Sequence, residues 1–375
     1  MQLRSLGKAA ARLAFRAGKR TRQIDRLPAE PWFIDVVDAS GSGLEVQGWA
    51  FIDKRRPDGD YSARFSFNGR PFDNVLYPLV RKDVGDLFPA RRDAEHCGFI
   101  LTAFDVGSPF RDGVLEITCH DEAASGAAAG RNSWFIPDPA LHKNLPDEDR
   151  RYRVIANRDA ASFLMSGCTD LNRLDRACRY ATGKHIAGHA RVLDWGCGCG
   201  RLARHLDASA TSLFGCDIDA ENIAWCAENL PGQFSVSSLR PPLSYGDGVF
   251  NVIYGLSVFT HFRPAMEELW LAELRRVAAP GAILLMTIHG RTTVDFAQLG
   301  SAASQALLKL IEWRGIVVSG RNDQLDGHAN HEAEYVNVYH SQRYIREVWA
   351  KHFEIVDILP GYIFTHDLVI MRARP

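Results

Sequence analysis

Long apolar runs are missing from this 375-residue sequence, although 46% of it is hydrophobic. No stretch reaches the roughly 20 residues that a membrane-spanning helix needs, so a soluble globular protein is expected. A dominant charge is missing too. A formal net charge of -1 gives no global attraction to a polyanion. Outside the first 27 residues no basic run is interleaved with aromatics, so nucleic acid is not an expected partner. The eight cysteines include no C-x-x-C pair, which argues against a zinc site or a disulfide framework and for small apolar filler in a reducing compartment. At the N-terminus, charges stand where a signal peptide would carry its apolar region. The expected location is cytoplasmic.

Acids are scarce in residues 1–27, where Asp25 stands alone against Arg4, Lys8, Arg12, Arg16, Lys19 and Arg20. At about 100° per residue these bases share one face, and Leu3, Leu6, Ala10, Leu13 and Ala17 share the opposite one, with Phe15 as the exception. A basic amphipathic helix is expected, able either to lie on an anionic membrane surface or to pack on its own protein.

Residues 28–136 read as short alternating runs such as "YSARFSFNGRPFDNVLYP", separated by Gly, Asn and Asp turn signals, which predicts an all-β sandwich. Trp49, Phe51, Tyr61 and Phe67 are either sandwich core or a stacking surface for sugars. Residues 137–150 are polar, hold three prolines and read as a linker. Residues 151–375 begin with helical patterns near 151–165 and 169–182. Strands near 191–195, 212–217, 233–237, 250–255, 282–288, 353–358 and 366–371 then alternate with helices that include one at 200–208. That alternation predicts an α/β domain with a doubly wound, Rossmann-like sheet and a ligand beyond the carboxyl ends of its strands.

"ARVLDWGCGCGRLARHL" lies at such an end. Gly196, Gly198 and Gly200 do not follow the G-x-G-x-x-G spacing of dinucleotide sites. Asp194 before the turn would repel a pyrophosphate and favour an ammonium or sulfonium. Asp217 ends the next strand, placed to accept from both ribose hydroxyls, and Asp219 suits the N-cap of the following helix.

"VLDWGCGCGR", "GCDIDAENIAWC", "FNVIYGLSVFTHF" and "LAELRRVAAPGAILLMTIHG", in this order, resemble the class I S-adenosylmethionine-dependent methyltransferases over roughly residues 150–375. The resemblance implies S-adenosylmethionine as cofactor. It places Asp194 near the amino group, Gly196, Cys197, Gly198 and Gly200 under the methionine portion, and Asp217 with Ile218 at the ribose. Ser238 and Leu239 come near the adenine, and Gly255 and Leu256 form the floor. Two departures stand out: "FSVSSLRPPL" offers serines where many members carry an acid for adenine, and Asn251 stands where many have Asp.

Methyl transfer to a hydroxyl needs alignment, exclusion of water and a base, most often histidine. His261 follows the fourth strand and His289 ends the fifth. The insertion at 320–349 is rich in hydrogen-bonding side chains: His328, His331, Glu332, Tyr335, Asn337, Tyr339 and His340. His261, His289, Tyr339 and His340 are the catalytic candidates. No metal is expected, since no third histidine has helix spacing to His328 and His331. Phe163, Ser166 and Gly167 either touch the acceptor or form a helix end with a glycine cap. The sandwich and the methyltransferase half also resemble bacterial enzymes of glycan synthesis. The expectation is O-methylation of a saccharide or glycolipid precursor at the cytoplasmic membrane face. A small-molecule N- or O-methyltransferase with a dimerising sandwich, and an inactive cofactor-binding scaffold, remain open alternatives.

Overall fold

Alternation of apolar and polar residues forms the strands of the first third. The computed structural model describes residues 32–39, 41–52, 61–89, 91, 93–120, 126–207, 212–298, 302–321 and 336–375. The expected basic helix at 1–27 and the insertion residues His328, His331, Glu332 and Tyr335 lie outside them. The first elements are β1 (Trp32–Asp38), β2 (Leu44–Ala50), β3 (Phe65–Phe67), β4 (Arg70–Pro71), β5 (Asn74–Val80), the short α1 (Lys82–Leu87), β6 (His96–Ala103), β7 (Val114–Cys119) and β8 (Ser133–Pro137). They build two four-stranded antiparallel sheets, ordered β1-β2-β6-β5 and β4-β3-β7-β8. Phe33, Val46, Trp49 and Leu101 of one sheet share a core with Phe65, Phe67, Ile117 and Trp134 of the other. Trp49, Phe51 and Phe67 are therefore core, and the idea that they stack on sugars is corrected; Tyr61 is half-buried and packs edge-on against Tyr77.

The second half continues with α2 (Glu148–Ile155), α3 (Ala160–Thr182), β9 (Arg191–Trp195), β10 (Ser212–Asp217), α4 (Ala220–Asn229), β11 (Gln233–Val236) and β12 (Phe250–Gly255). Then come α5 (Pro264–Val277), β13 (Ala278–Ile288), α6 (Arg291–Gln298), α7 (Ala302–Arg314), β14 (Ile316–Arg321), β15 (Val336–His340), α8 (Gln342–Val348), β16 (Phe353–Ile363) and β17 (His366–Ala373). Seven strands form one sheet in the order β11-β10-β9-β12-β13-β17-β16. Pairing is parallel from β11 to β13, and β17 runs antiparallel to both neighbours. The strand order reverses between β9 and β12, so the carboxyl ends there open the crevice in which such sheets bind ligands.

Three local readings are corrected. The first two helices divide elsewhere: Ala156 ends α2 in the left-handed region at φ 52°, and Asp159 caps α3 by accepting from the Ser162 amide at 2.7 Å. Residues 200–208 do not form an α-helix. Only Ala203–His205 make a single 3-10 turn, because the chain is extended again at Leu206. The insertion at 320–349 is in part a ribbon, β14 paired antiparallel with β15, followed by α8, which Ser341 caps.

Candidate active site

The turn after β9 passes through Gly196, Gly198 and Gly200 with φ of 77°, 52° and 73°, the left-handed region that favours glycine. Space demands glycine as well: a Cβ at Gly196 would lie 2.5 Å from Val258 and one at Gly198 2.7 Å from Val154. The Gly196 and Cys197 amides donate to the Cys216 carbonyl at 2.8 and 3.1 Å. Asp217 braces the turn, one carboxylate oxygen accepting from the Gly198 amide at 2.8 Å and the other from the Asp219 amide at 2.9 Å. Each oxygen keeps lone-pair capacity for a ribose hydroxyl. Burial raises the Asp217 pKa, and these backbone donors oppose the rise. Asp219 caps α4, accepting from the Glu221 and Asn222 amides.

Asp194, at the end of β9, is buried, and its Oδ2 has no hydrogen-bond partner. Burial pushes its pKa up to about 7; Arg201 opposes this and Asp217 adds to it. The Tyr254 hydroxyl neighbours it without completing a hydrogen bond of ordinary geometry. A buried carboxylate lacking a partner is costly, and the ammonium of an amino-acid moiety supplies what this one lacks. Gly255 forms the floor between Trp195 and Met286, where a Cβ would approach side-chain atoms to 2.8 and 2.9 Å. Leu256 and Ile218 are half-buried. Ser238 is exposed and Leu239 half-buried, with the Leu239 carbonyl accepting from Trp270 Nε1 at 3.1 Å. Asn251 ties two strands together, accepting from the Arg191 amide.

Three of the four catalytic candidates meet at the carboxyl edge. The His261 and His289 ring centroids are 6.5 Å apart, and Tyr339 lies 5.3 Å from His289. All three are half-buried. His261 Nδ1 lies 3.0 Å from the Val336 carbonyl. Burial lowers the pKa of both imidazoles, and at His289 the neighbours His366 and His261 lower it further. His366 was missed in the sequence; its ring lies 4.7 Å from His289. Arg201 stands close enough to His366 to depress its pKa, and Asp170 on α3 holds Arg201 at 2.6 Å.

His340 is the correction. Successive side chains of a strand point to opposite faces, so it turns away from Tyr339 into the core. There His340 Nε2 meets Glu267 Oε2 at 2.7 Å, and Glu267 Oε1 accepts from the Tyr344 hydroxyl and Trp349 Nε1. Glu267→Ala leaves these three donors without an acceptor and is expected to destabilise the protein by about 3 kcal/mol. The check is a lower denaturant midpoint with cofactor affinity unchanged. Phe163 is likewise fully buried core, and Ser166 donates to the Phe163 carbonyl. Gly167 is no cap. It sits inside α3, where a Cβ would come within 2.2 Å of the Arg201 carbonyl, so it lets the helix close on the turn.

Residues 192–281 match the family model described as methyltransferase domain. An uncharacterized methyltransferase of Synechocystis is 27% identical over 105 residues, which is 28% of this chain and 50% of that protein. The chain thus spans about half the length of that curated relative. Among solved structures it is similar to the PH0226 protein of Pyrococcus horikoshii, at 18% identity and a TM-score of 0.38, covering 54% of this chain and 88% of that one. It is also similar to the magnesium protoporphyrin IX methyltransferase of Synechocystis with bound SAH, at 14% identity and a TM-score of 0.38, covering 63% and 92%. The matched segment contains the glycine turn, Asp194 and Asp217. Residues 192–281 are thus a methyltransferase domain by their family match.

Proposed function

We propose that the protein methylates a hydroxyl of a saccharide or glycolipid precursor in cell-envelope glycan synthesis. The observation that carries this reading is the set of uncharged groups at the carboxyl edge of the seven-stranded sheet. A neutral imidazole offers one donor and one acceptor, and so does a phenol. His261, His289 and Tyr339, with His366 next to them, thus match a polyhydroxylated acceptor better than an anion, since Arg201 is already held by Asp170.

When bound, S-adenosylmethionine supplies a methyl group on a sulfonium, whose leaving group is already activated. Asp194 would hold its ammonium and Asp217 its ribose, and the glycine turn would let it approach the backbone closely. His261 or His289 then takes the acceptor proton, a contribution of roughly 10²–10⁴-fold. The basic face of residues 1–27 would keep the enzyme near a lipid-linked acceptor on the inner membrane face. Among the described residues no helix is long and apolar enough to cross a membrane. Equal liposome sedimentation with and without residues 1–27 would remove this part of the reading.

Calorimetry tests the site first. S-adenosylmethionine is expected to bind the wild type and to lose about 100-fold in affinity with Asp217→Ala, because both the ribose acceptor and the brace on the Gly198 amide go. No binding to the wild type overturns the proposal. With binding established, methyl transfer to cell-envelope glycans but not to small-molecule alcohols or amines supports the saccharide reading.

A further inference from the structure

β17 is the one strand of the seven-stranded sheet that runs antiparallel to both its neighbours, so its first residue, not its last, stands at the edge where the other strands end. That residue is His366. From Asp367 to Met371 the strand is buried, whereas His366 is half-buried, its ring 4.7 Å from that of His289. Three imidazoles therefore line one edge: His261 from the loop after β12, His289 from the end of β13 and His366 from the start of β17.

Their chemistry differs. A carbonyl can face only a donor, so the Val336 oxygen 3.0 Å from His261 Nδ1 puts the proton of a neutral ring there and makes Nε2 its lone-pair nitrogen. Val336 opens β15, so the strand returning from the insertion fixes the tautomer of a candidate base. His289 Nδ1 is buried without a partner. Burial keeps all three rings uncharged, with His366 pushed down to about 4. The groups facing them are Arg201 from the turn after β9 and Tyr339 from β15, and His340, though turned into the core, lies near enough to lower the His289 pKa. No described carboxylate contributes to the titration of any of the three rings.

We propose that His366 completes the acceptor pocket by holding a second hydroxyl together with His289, while His261, its tautomer fixed by the Val336 carbonyl, receives the proton of the reacting hydroxyl at Nε2. This rests on the O-methyltransferase reading. The acceptor O–H bond breaks and its electron pair forms the bond to the methyl carbon, whose bond to the sulfonium sulfur would break with its pair left on sulfur as a neutral thioether; His261 becomes an imidazolium that returns the proton to water. His366 contacts the acceptor and takes no proton.

Two measurements on the full chain test this. Imidazole nitrogen NMR of histidine-labelled protein with S-adenosylhomocysteine needs no acceptor. All three rings are expected to be neutral at pH 7, with His261 carrying its proton on Nδ1. An Nε2–H His261, or a charged ring at pH 7, overturns the assignment. Labelled methyl transfer to a panel of methyl glycosides is the second. His261→Asn keeps an amide donor for Val336 and should lower kcat about 100-fold, with melting temperature and cofactor affinity held. His366→Ala should raise the acceptor KM about tenfold, and an unchanged KM removes its role. If the wild type methylates no glycoside, the saccharide reading fails, while the NMR result still decides the imidazole assignment.

Discussion

Asp194→Asn is expected to weaken S-adenosylmethionine binding by roughly 100-fold and, at pH 8, to make the cofactor-free protein more stable. Both effects have one origin. The carboxylate is buried, its Oδ2 is unpartnered, and its pKa is raised to about 7. The folded state therefore holds a proton that the unfolded chain gives up near its ordinary pKa of 3.8. A raised carboxyl pKa favours folding at low pH, and that advantage is lost as pH rises from about 4 through 7. An amide cannot ionise, so the variant is spared this loss and should gain on the order of 1–2 kcal/mol at pH 8. Cofactor binding reverses the balance by bringing an ammonium to the charged form. Calorimetry in buffers of different ionisation enthalpy should show the wild type releasing most of a proton on binding at pH 6 and none at pH 9, where the ligand's amino group takes one up instead, with Asp194→Asn lacking the release at pH 6. Equal release at both pH values would sink the argument.

The cofactor half of the site was legible because its signals are local. Three glycines at alternate positions have few uses other than a tight approach of backbone to ligand. An acid at the end of each of two adjacent parallel strands falls on one sheet edge whatever the loops do. The acceptor half depends on strand direction, which the sequence does not display. "THDLVIMRA" reads as an apolar strand either way round, and only its antiparallel insertion between β13 and β16 brings His366 to the site. The period of two could have shown that Tyr339 and His340 cannot both face the acceptor. It could not have shown which one does, since that depends on Glu267 lying 73 residues away. Gly167 misled because a glycine late in a helical pattern usually marks its end; its partner, the Arg201 carbonyl, is a tertiary contact.

The same tertiary logic makes Arg173→Met a substitution expected to cost as much stability as Glu267→Ala. Arg173 lies on α3, the helix that also closes on the glycine turn, and its side chain is buried against the all-β half. Its guanidinium donates to the Arg131 carbonyl at 3.0 Å, to the Ser133 carbonyl at 3.0 and 3.2 Å, and to the Tyr362 carbonyl at 3.5 Å, and it lies 5.5 Å from the Trp134 ring. Burial lowers its pKa to about 10, with Asp170 opposing, so it stays charged at neutral pH. Two effects compete in the variant. Removing a desolvated charge is favourable, but three buried carbonyls lose charge-assisted donors worth about 1.5–3 kcal/mol each. The second effect is larger, and a net loss of about 3 kcal/mol is expected. Thr169 ties the same halves together, bonding both the amide and the carbonyl of Phe135 at 3.0 and 3.1 Å. Thr169→Val should therefore add to the loss. Scanning calorimetry of the variants should show the melting transition lowered by several degrees and split in two, because Arg131 and Ser133 lie in one half and Tyr362 in the other. A single transition at the wild-type temperature would mean that the contacts of Phe33 with Phe364 and of Phe88 with Phe296 hold the halves together without Arg173.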